Sequence, residues 1–421
     1  MDDRQATREA LLAPTIEFAA REVPFYRRTF GKRRELTSLP FLHKDVAIAR
    51  QRELLSGAPE AFTGVISSGT HHAEGALLQV PRTEDEAQAT RAFFDAVNRG
   101  KRITTKRGWT LEVRAAHHGT RDVAPGRLLV PWTYTAQSLR LVEQMLAKKQ
   151  ADGPRVDTLV INSGALMPLT SWFLSRGVAP ARFRIAEIGT TSFKLSPFWR
   201  ALIEEVWGCA VRDNFSLSEL PAPAHECSDC GFHHWEPPPM FAEVVDPITH
   251  APARTGVLVV TTLAPFVTRM PLIRYWTGDL VTLGPRCAAV GEAGFRPRGR
   301  LSQSIWHRTH GLVVSSQDVT DFLEGRAEVA RHPHPMETLR LIPPGECGAV
   351  KFELTQHKRE VRLRVELRFD PMIFSTEANA VGDALVKHLS AGVRAYERAG
   401  DGELIVELVR PGTLTSKWVK F

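Results

Sequence analysis

Between residues 128 and 216, short apolar runs alternate with amphipathic ones, and that alternation constrains the fold more than any other feature of the chain. Leu128-Leu129-Val130 reads as a strand, Thr158-Leu159-Val160-Ile161 as a buried strand, and Arg184–Ile188 as another. Leu166–Leu174 reads as a helix. A second helix is marked at both ends: Ser196 suits an N-cap, Pro197 the first turn, and Gly208 the stop. Its apolar residues Trp199, Leu202, Ile203 and Val206 recur at i, i+3, i+4 and i+7, the spacing of a core-facing stripe. Strand–helix–strand succession predicts an α/β domain with a mixed sheet.

Flanking segments differ in style. Roughly the first 100 residues read as helix and loop, up to a strand–turn at Gly64–Gly69, with a helix near Glu84–Val97. From Phe241 the chain is strand-rich: Phe241–Val245, Val257–Thr262 and a hairpin-like Leu272–Leu283. Later, Val361, Leu363, Val365, Leu367 and Phe369 alternate with Arg362, Arg364, Glu366 and Arg368, which predicts a strand with one buried face. A helix over Glu377–Arg398 and a strand over Glu403–Val409 complete a small α+β domain. The expected boundary is near Leu301–Ile305.

Composition narrows the class. The 421 residues carry 54 Lys+Arg against 47 Asp+Glu, a net +7, with 43% hydrophobic and 24% charged residues. Those values exclude disorder, coiled coil and collagen for the chain as a whole. No apolar run approaches the ~20 residues that span a bilayer; Gly256–Val267 is broken by threonine and proline. Met1-Asp2-Asp3-Arg4 lacks the basic and apolar regions of a signal peptide, and five cysteines are too few and odd for a disulfide framework. A cytoplasmic enzyme with no membrane partner is expected. Basic residues concentrate between Arg99 and Arg127, but without a nucleic-acid module they read as a solvated face.

Four constellations carry chemistry. Ser67-Ser68-Gly69-Thr70 can curve amides and hydroxyls around an anion, though an ordinary polar turn reads equally well. Asp213-Asn214-Phe215-Ser216-Leu217-Ser218-Glu219 offers an aromatic face for a base and a carboxylate for a phosphate-bound Mg²⁺, although taken alone it reads more readily as a plain strand-to-loop turn. In Thr277-Gly278-Asp279 the acid sits at a tight turn, where its two oxygens suit a vicinal diol, and Gly299-Arg300 follows. Cys227-x-x-Cys230-x-x-His233 with Cys287 has the donor set of a closed Cys3His structural zinc site, in which His234 can substitute for His233.

Taken in order, these segments resemble the adenylate-forming (acyl-AMP) superfamily, and within it the phenylacetate-CoA ligase-like branch. The likeness begins at Val23-Pro24-Phe25-Tyr26-Arg27-Arg28 and Leu39-Pro40-Phe41-Leu42-His43-Lys44-Asp45. It continues through Ser67–Thr70, Gly189-Thr190-Thr191-Ser192, Phe215–Glu219, Asp279 and Arg300, and closes on Gly412-Thr413-Leu414-Thr415-Ser416-Lys417-Trp418-Val419-Lys420. Departures from the branch are His71-His72-Ala73-Glu74 after the phosphate loop, where a lysine is usual, Gly189-Thr190-Thr191-Ser192 and Phe215-Ser216 in place of the usual Gly-Ala-Glu-Pro and Tyr-Gly, and Gln303-Ser304 where an acidic hinge pair is usual.

The resemblance implies an α/β fold: a large N-terminal adenylate-forming domain with mixed sheets (residues 1–300) and a small mobile C-terminal α+β domain (residues 301–421). It implies ATP-dependent activation of a carboxylic acid to an acyl-AMP, then transfer to a thiol such as CoA. An amine or carrier-protein acceptor and a degenerate non-catalytic homologue are the alternatives. Implied roles are catalytic for Lys417, Glu219 and Arg300, and cofactor-binding for Ser67, Ser68, Gly69, Thr70, Gly189, Thr190, Thr191, Phe215, Ser218 and Asp279. Glu219 would also hold Mg²⁺. His117, His118, Trp132 and Tyr134 suggest a pocket for an aromatic acid, with core packing as their alternative fate. The partners implied are small molecules, and a homodimer is the assembly allowed for.

Overall fold

The structure is a computed structural model that describes residues 3–57, 63–66, 78–90, 92, 108–115, 126–148, 155–192, 194–235 and 239–415. The chain forms two compact units, each assembled from two stretches: residues 1–106 with 214–297, and residues 107–213 with 298–421.

The first unit opens with helices α1 (Asp3–Glu22), α2 (Pro24–Phe30) and α3 (Lys44–Ala49). Pro24 starts α2 with its φ already helical, and Gly31, at φ 57°, ends it. The buried rings of Tyr26 and Phe30 stack at 4.7 Å. The Tyr26 hydroxyl donates to the Pro271 carbonyl (2.9 Å) and accepts from the Ile273 amide (3.0 Å), so this helix is pinned to the core. Strands β1 (Thr63–Ile66) and β2 (Gln79–Arg82) pair antiparallel, with Thr63 opposite Arg82.

The second unit begins with β3 (Trp109–Ala115), β4 (Arg127–Trp132), helix α4 (Ala136–Ala147), β5 (Val156–Asn162), α5 (Ser163–Ser175), β6 (Glu187–Thr191), α6 (Pro197–Trp207) and β7 (Ala210–Phe215). The strands are parallel in the order β7-β6-β5-β3-β4. Helix α6 follows its sequence signals: Ser196 Oγ accepts from the Trp199 amide (3.3 Å), Gly208 stands at φ 67°, and Trp199 and Ile203 are buried. One expectation shifts. A 3₁₀ turn at Pro180–Phe183 and a left-handed Arg184 (φ 53°) delay the strand anticipated from residue 184 until Glu187.

Returning to the first unit, β8 (Ala224–Glu226), β9 (His233–Trp235), β10 (Met240–Val245), β11 (Thr255–Thr262), β12 (Tyr275–Arg286) and β13 (Ala293–Arg300) lie in the order β10-β11-β12-β13-β9-β8. The hairpin expected at Leu272–Leu283 is instead one strand, β12. Val257 pairs with Leu280 while Val259 pairs with Trp276, so β12 carries two extra residues against β11. Gly278, at φ 75°, permits this bulge. A turn-like Thr-Gly-Asp sequence thus marks a bulge, which sequence periodicity alone does not separate from a chain reversal.

Beyond residue 298 come β14 (Ser304–His307), β15 (Gly311–Ser315), α7 (Ser316–Leu323), α8 (Pro335–Thr338), β16 (Phe352–His357), β17 (Glu360–Glu366), α9 (Ser375–Arg398) and β18 (Glu403–Val409). Strand β17 pairs antiparallel with β16 and parallel with β18, and α9 makes the crossover the parallel pair requires. Val361, Leu363 and Val365 are buried against Leu385, Leu389 and Tyr396 of α9, as their alternation predicts. Among the described residues no helix is long and apolar enough to cross a membrane.

Candidate active site and metal centre

In the first unit, Glu219 lies on the turn that follows β7 and is almost wholly buried. Its Oε1 stands 3.0 Å from Lys44 Nζ and accepts the Tyr275 hydroxyl at 3.1 Å, while its backbone carbonyl accepts Arg82 Nη2 at 2.9 Å. A bridge between Leu42 and Tyr275 brings Lys44, at the start of α3, to this carboxylate. Lys44 belongs to the Leu39–Asp45 segment that carries the family likeness, and Arg82 lies in no segment that the sequence singles out. Nothing in their spacing marks them as neighbours of Glu219.

Asp279 stands in the bulge of β12. Thr277 Oγ1 donates to the Leu258 carbonyl (2.8 Å) and accepts the Asp279 amide (3.0 Å), so the hydroxyl fixes the backbone that presents the acid. Phe215 and Ser218 are half-buried, and the Phe215 ring meets Phe295 edge-on at 5.3 Å and Trp235 at 6.4 Å.

In the second unit, Gly189 and Thr190 sit inside β6, where Thr190 Oγ1 donates to the Arg212 carbonyl and to Asp213 Oδ1 (3.3 Å each). Thr191 reaches the carboxyl end of the strand, the edge at which open parallel sheets take ligands. Trp132 ends β4 and is buried, whereas Tyr134 adopts φ 53°, with its ring 6.0 Å from Trp132 and 5.6 Å from His334. Tyr134 is partly exposed, yet desolvation of its hydroxyl raises it above the ordinary pKa. Arg300 closes β13. Ser67, Ser68, Gly69, Thr70, His117, His118 and Lys417 lie outside the described residues.

A second group in the first unit gathers three thiols and an imidazole. Cys227, Cys230, Cys287 and His234 have ligand atoms all within 4.8 Å of one another; Cys227 and Cys287 sulfurs are 3.9 Å apart, and Cys230 Sγ is 3.2 Å from His234 Nε2. The imidazole is therefore that of His234. The first-named candidate, His233, points to the opposite face of β9, as strand alternation requires, with its ring 5.7 Å from Phe295.

Two similar turns present the sulfurs. The Gly231 amide donates to the Cys227 carbonyl and the Cys227 amide to the Phe232 carbonyl; the Gly291 amide donates to the Cys287 carbonyl and the Cys287 amide to the Glu292 carbonyl. Gly231 (φ 67°) and Gly291 (φ 84°) supply the left-handed residue in each. The first turn holds a second cysteine at Cys230, where the second turn has Val290, and His234 stands in for that missing donor. The His234 ring lies on the bare backbone of Gly294: a Cβ there would stand 2.6 Å from Nε2. Burial, with the other two thiols nearby, pushes the Cys230 thiol up to about 11. The donor set fits a tetrahedral zinc ion.

Comparison with known proteins now adds to this geometry. The fold, a mixed α/β body with a small C-terminal sheet, is similar to that of solved CoA-ligase structures. The open conformation of 2-hydroxyisobutyryl-CoA ligase, in complex with 2-HIB-AMP and CoA, covers 99% of this chain and 90% of its own, with a TM-score of 0.62 at 16% identity. The ATP-bound RpMatB-BxBclM chimera B3 covers 87% of this chain and 67% of its own, with a TM-score of 0.53 at 12% identity. In sequence, the chain is 34% identical over 135 residues to the phenylacetate-coenzyme A ligase of Thermus thermophilus, a stretch covering 30% of each protein. No protein-family profile matches the chain.

Proposed function

We propose that this protein activates a carboxylic acid, aromatic in character, with ATP and passes the acyl group to the thiol of CoA. What carries the reading is the Thr277–Asp279 bulge, which takes a carboxylate out of the strand ladder and fixes its backbone through Thr277. Two adjacent carboxylate oxygens suit the two hydroxyls of a ribose. The fold likeness and the local identity to a phenylacetate-coenzyme A ligase support the same conclusion.

In this reading a substrate carboxylate oxygen attacks the α-phosphorus of ATP. The bond to the bridging oxygen breaks, pyrophosphate departs with the electron pair, and a mixed anhydride is left. The CoA thiolate then attacks the acyl carbon, and AMP leaves. Two anions must approach one another, so the chain supplies donors: amides and hydroxyls of Ser67–Thr70, Arg300, and the ammonium of Lys417. Glu219 would hold Mg²⁺, which neutralises phosphate charge when bound. Phe215, Gly189, Thr190 and Thr191 serve the adenine side, Ser218 the phosphate side, and Trp132 and Tyr134 with His117 and His118 the acid. Residues 301–421 act as the small mobile domain that carries Lys417 and pivots near Ser302-Gln303. Their own apolar core, Ile305 to Tyr396, supports that role.

The cysteine cluster is proposed as a structural zinc site with ligands Cys227, Cys230, His234 and Cys287. All four donors come from protein, so no position is open for catalysis. The test of the ligase reading is pyrophosphate exchange into ATP with a panel of aryl and alkyl acids, repeated with CoA to detect the thioester.

A further inference from the structure

We propose that Arg82 forms an anion subsite for the terminal phosphates of a nucleoside triphosphate, and for the pyrophosphate that leaves. The inference deepens the ligase reading and rests on it.

Arg82 closes β2, the strand that follows the candidate phosphate loop in sequence. One of its terminal nitrogens, Nη2, donates to the Glu219 carbonyl at 2.9 Å. The other, Nη1, is buried and has no hydrogen-bond partner among the described residues. A charged donor removed from water without an acceptor is costly, and such groups persist where a ligand completes them. Burial pulls the guanidinium below its ordinary pKa, and nearby Glu86 offsets this only in part. Glu86 keeps its negative charge and is positioned by backbone amides. Its Oε2 accepts the Thr83 amide (2.8 Å), and its Oε1 accepts the Arg269 amide (2.6 Å) and the Thr268 amide and hydroxyl.

Arg82 touches Glu219 through that residue's backbone carbonyl, while the Glu219 Oε1 is engaged by Lys44. Counted by charge, Lys44 and Arg82 balance Glu219 and Glu86, so an anion bound here must arrive with its own cation. A bare phosphate would still meet the Glu219 carboxylate. A phosphate that arrives with Mg²⁺ would not be repelled, and this favours the triphosphate tail over the phosphates of CoA.

The test is calorimetric titration of the full chain with Mg-pyrophosphate, AMP and CoA, each alone, for wild type, Arg82→Gln and Arg82→Lys. Loss of one charge-assisted bond predicts that Arg82→Gln binds Mg-pyrophosphate about tenfold or more weakly. AMP and CoA binding stay unchanged, and Arg82→Lys falls between. Unchanged pyrophosphate affinity in Arg82→Gln would overturn the subsite. Equal loss for all three ligands would overturn it too, since that is a folding effect, and selective loss of CoA would assign the arginine to CoA instead. If Arg82→Gln does not fold, Arg82→Lys carries the test alone: weaker pyrophosphate binding is expected, and wild-type affinity contradicts it. A wild-type chain that binds neither Mg-ATP nor AMP defeats the ligase reading itself, whereas wild-type binding that Arg82→Gln retains defeats only the subsite.

Discussion

Single side chains settle which of two neighbours serves each role. His233 and His234 are adjacent in sequence, yet only one can face the three sulfurs, because consecutive strand residues point to opposite faces. Spacing from the cysteines could not choose between them; the pleat could. Gly294 is the less visible partner, since its missing side chain makes room for the His234 ring. Metal analysis of protein kept from chelators is expected to find about one zinc per chain. Gly294→Ala is expected to lower that content while Cys227, Cys230 and Cys287 remain; full zinc in that variant would show that His234 is not a ligand. Asp279→Ala is expected to raise the KM for ATP about tenfold or more, the cost of losing charged hydrogen bonds to the ribose. An unchanged KM would separate Asp279 from the nucleotide.

At the scale of elements, the helices and strands most legible beforehand were those with chemical punctuation. Helix α6 carries its own start and stop, and its cap is made as expected. Ser196→Ala is predicted to cost about 1 kcal/mol in chemical denaturation, the usual value of an N-cap. Strand β12 was less legible, because Gly278 reads equally as a turn or as a bulge, and only pairing with β11 decides. Strand β17 departs from alternation at one end: Glu366, expected to face solvent, is buried. Lys351 Nζ lies 2.8 Å from its Oε1, and the Leu414 amide donates to Oε2 at 2.7 Å. Burial pushes this carboxyl up, but Lys351 and the backbone amides of Leu414 and Gly412 outweigh it and hold the pKa below the ordinary value. A carboxyl depressed in the folded state stabilises fully above its unfolded pKa, and that contribution fades as pH falls through the folded value. Glu366→Gln should therefore reduce stability at neutral pH and flatten its decline below about pH 4.5. An acid limb identical to wild type would contradict this. The bond also anchors residues 412–414, just ahead of Lys417.

For the whole molecule, order along the chain carried more information than any one motif. Ser67–Thr70, Phe215–Glu219, Asp279 and Lys417 are each weak alone, but their succession pointed to the fold that the coordinates display. What stayed hidden was long-range: Lys44 and Arg82 meet Glu219 from residues 175 and 137 positions away in sequence, contacts that no local pattern records. The two interleaved units were hidden for the same reason, since contact density does not follow chain order. The most direct measurement is acid-dependent exchange of labelled pyrophosphate into ATP by this chain, run beside Lys417→Ala. Exchange should appear only when a suitable acid is present, and fall about 10²–10³-fold in the variant while the fold is kept. Absence of exchange across aryl and alkyl acids, in folded protein that binds ATP, would contradict acyl adenylation by this chain.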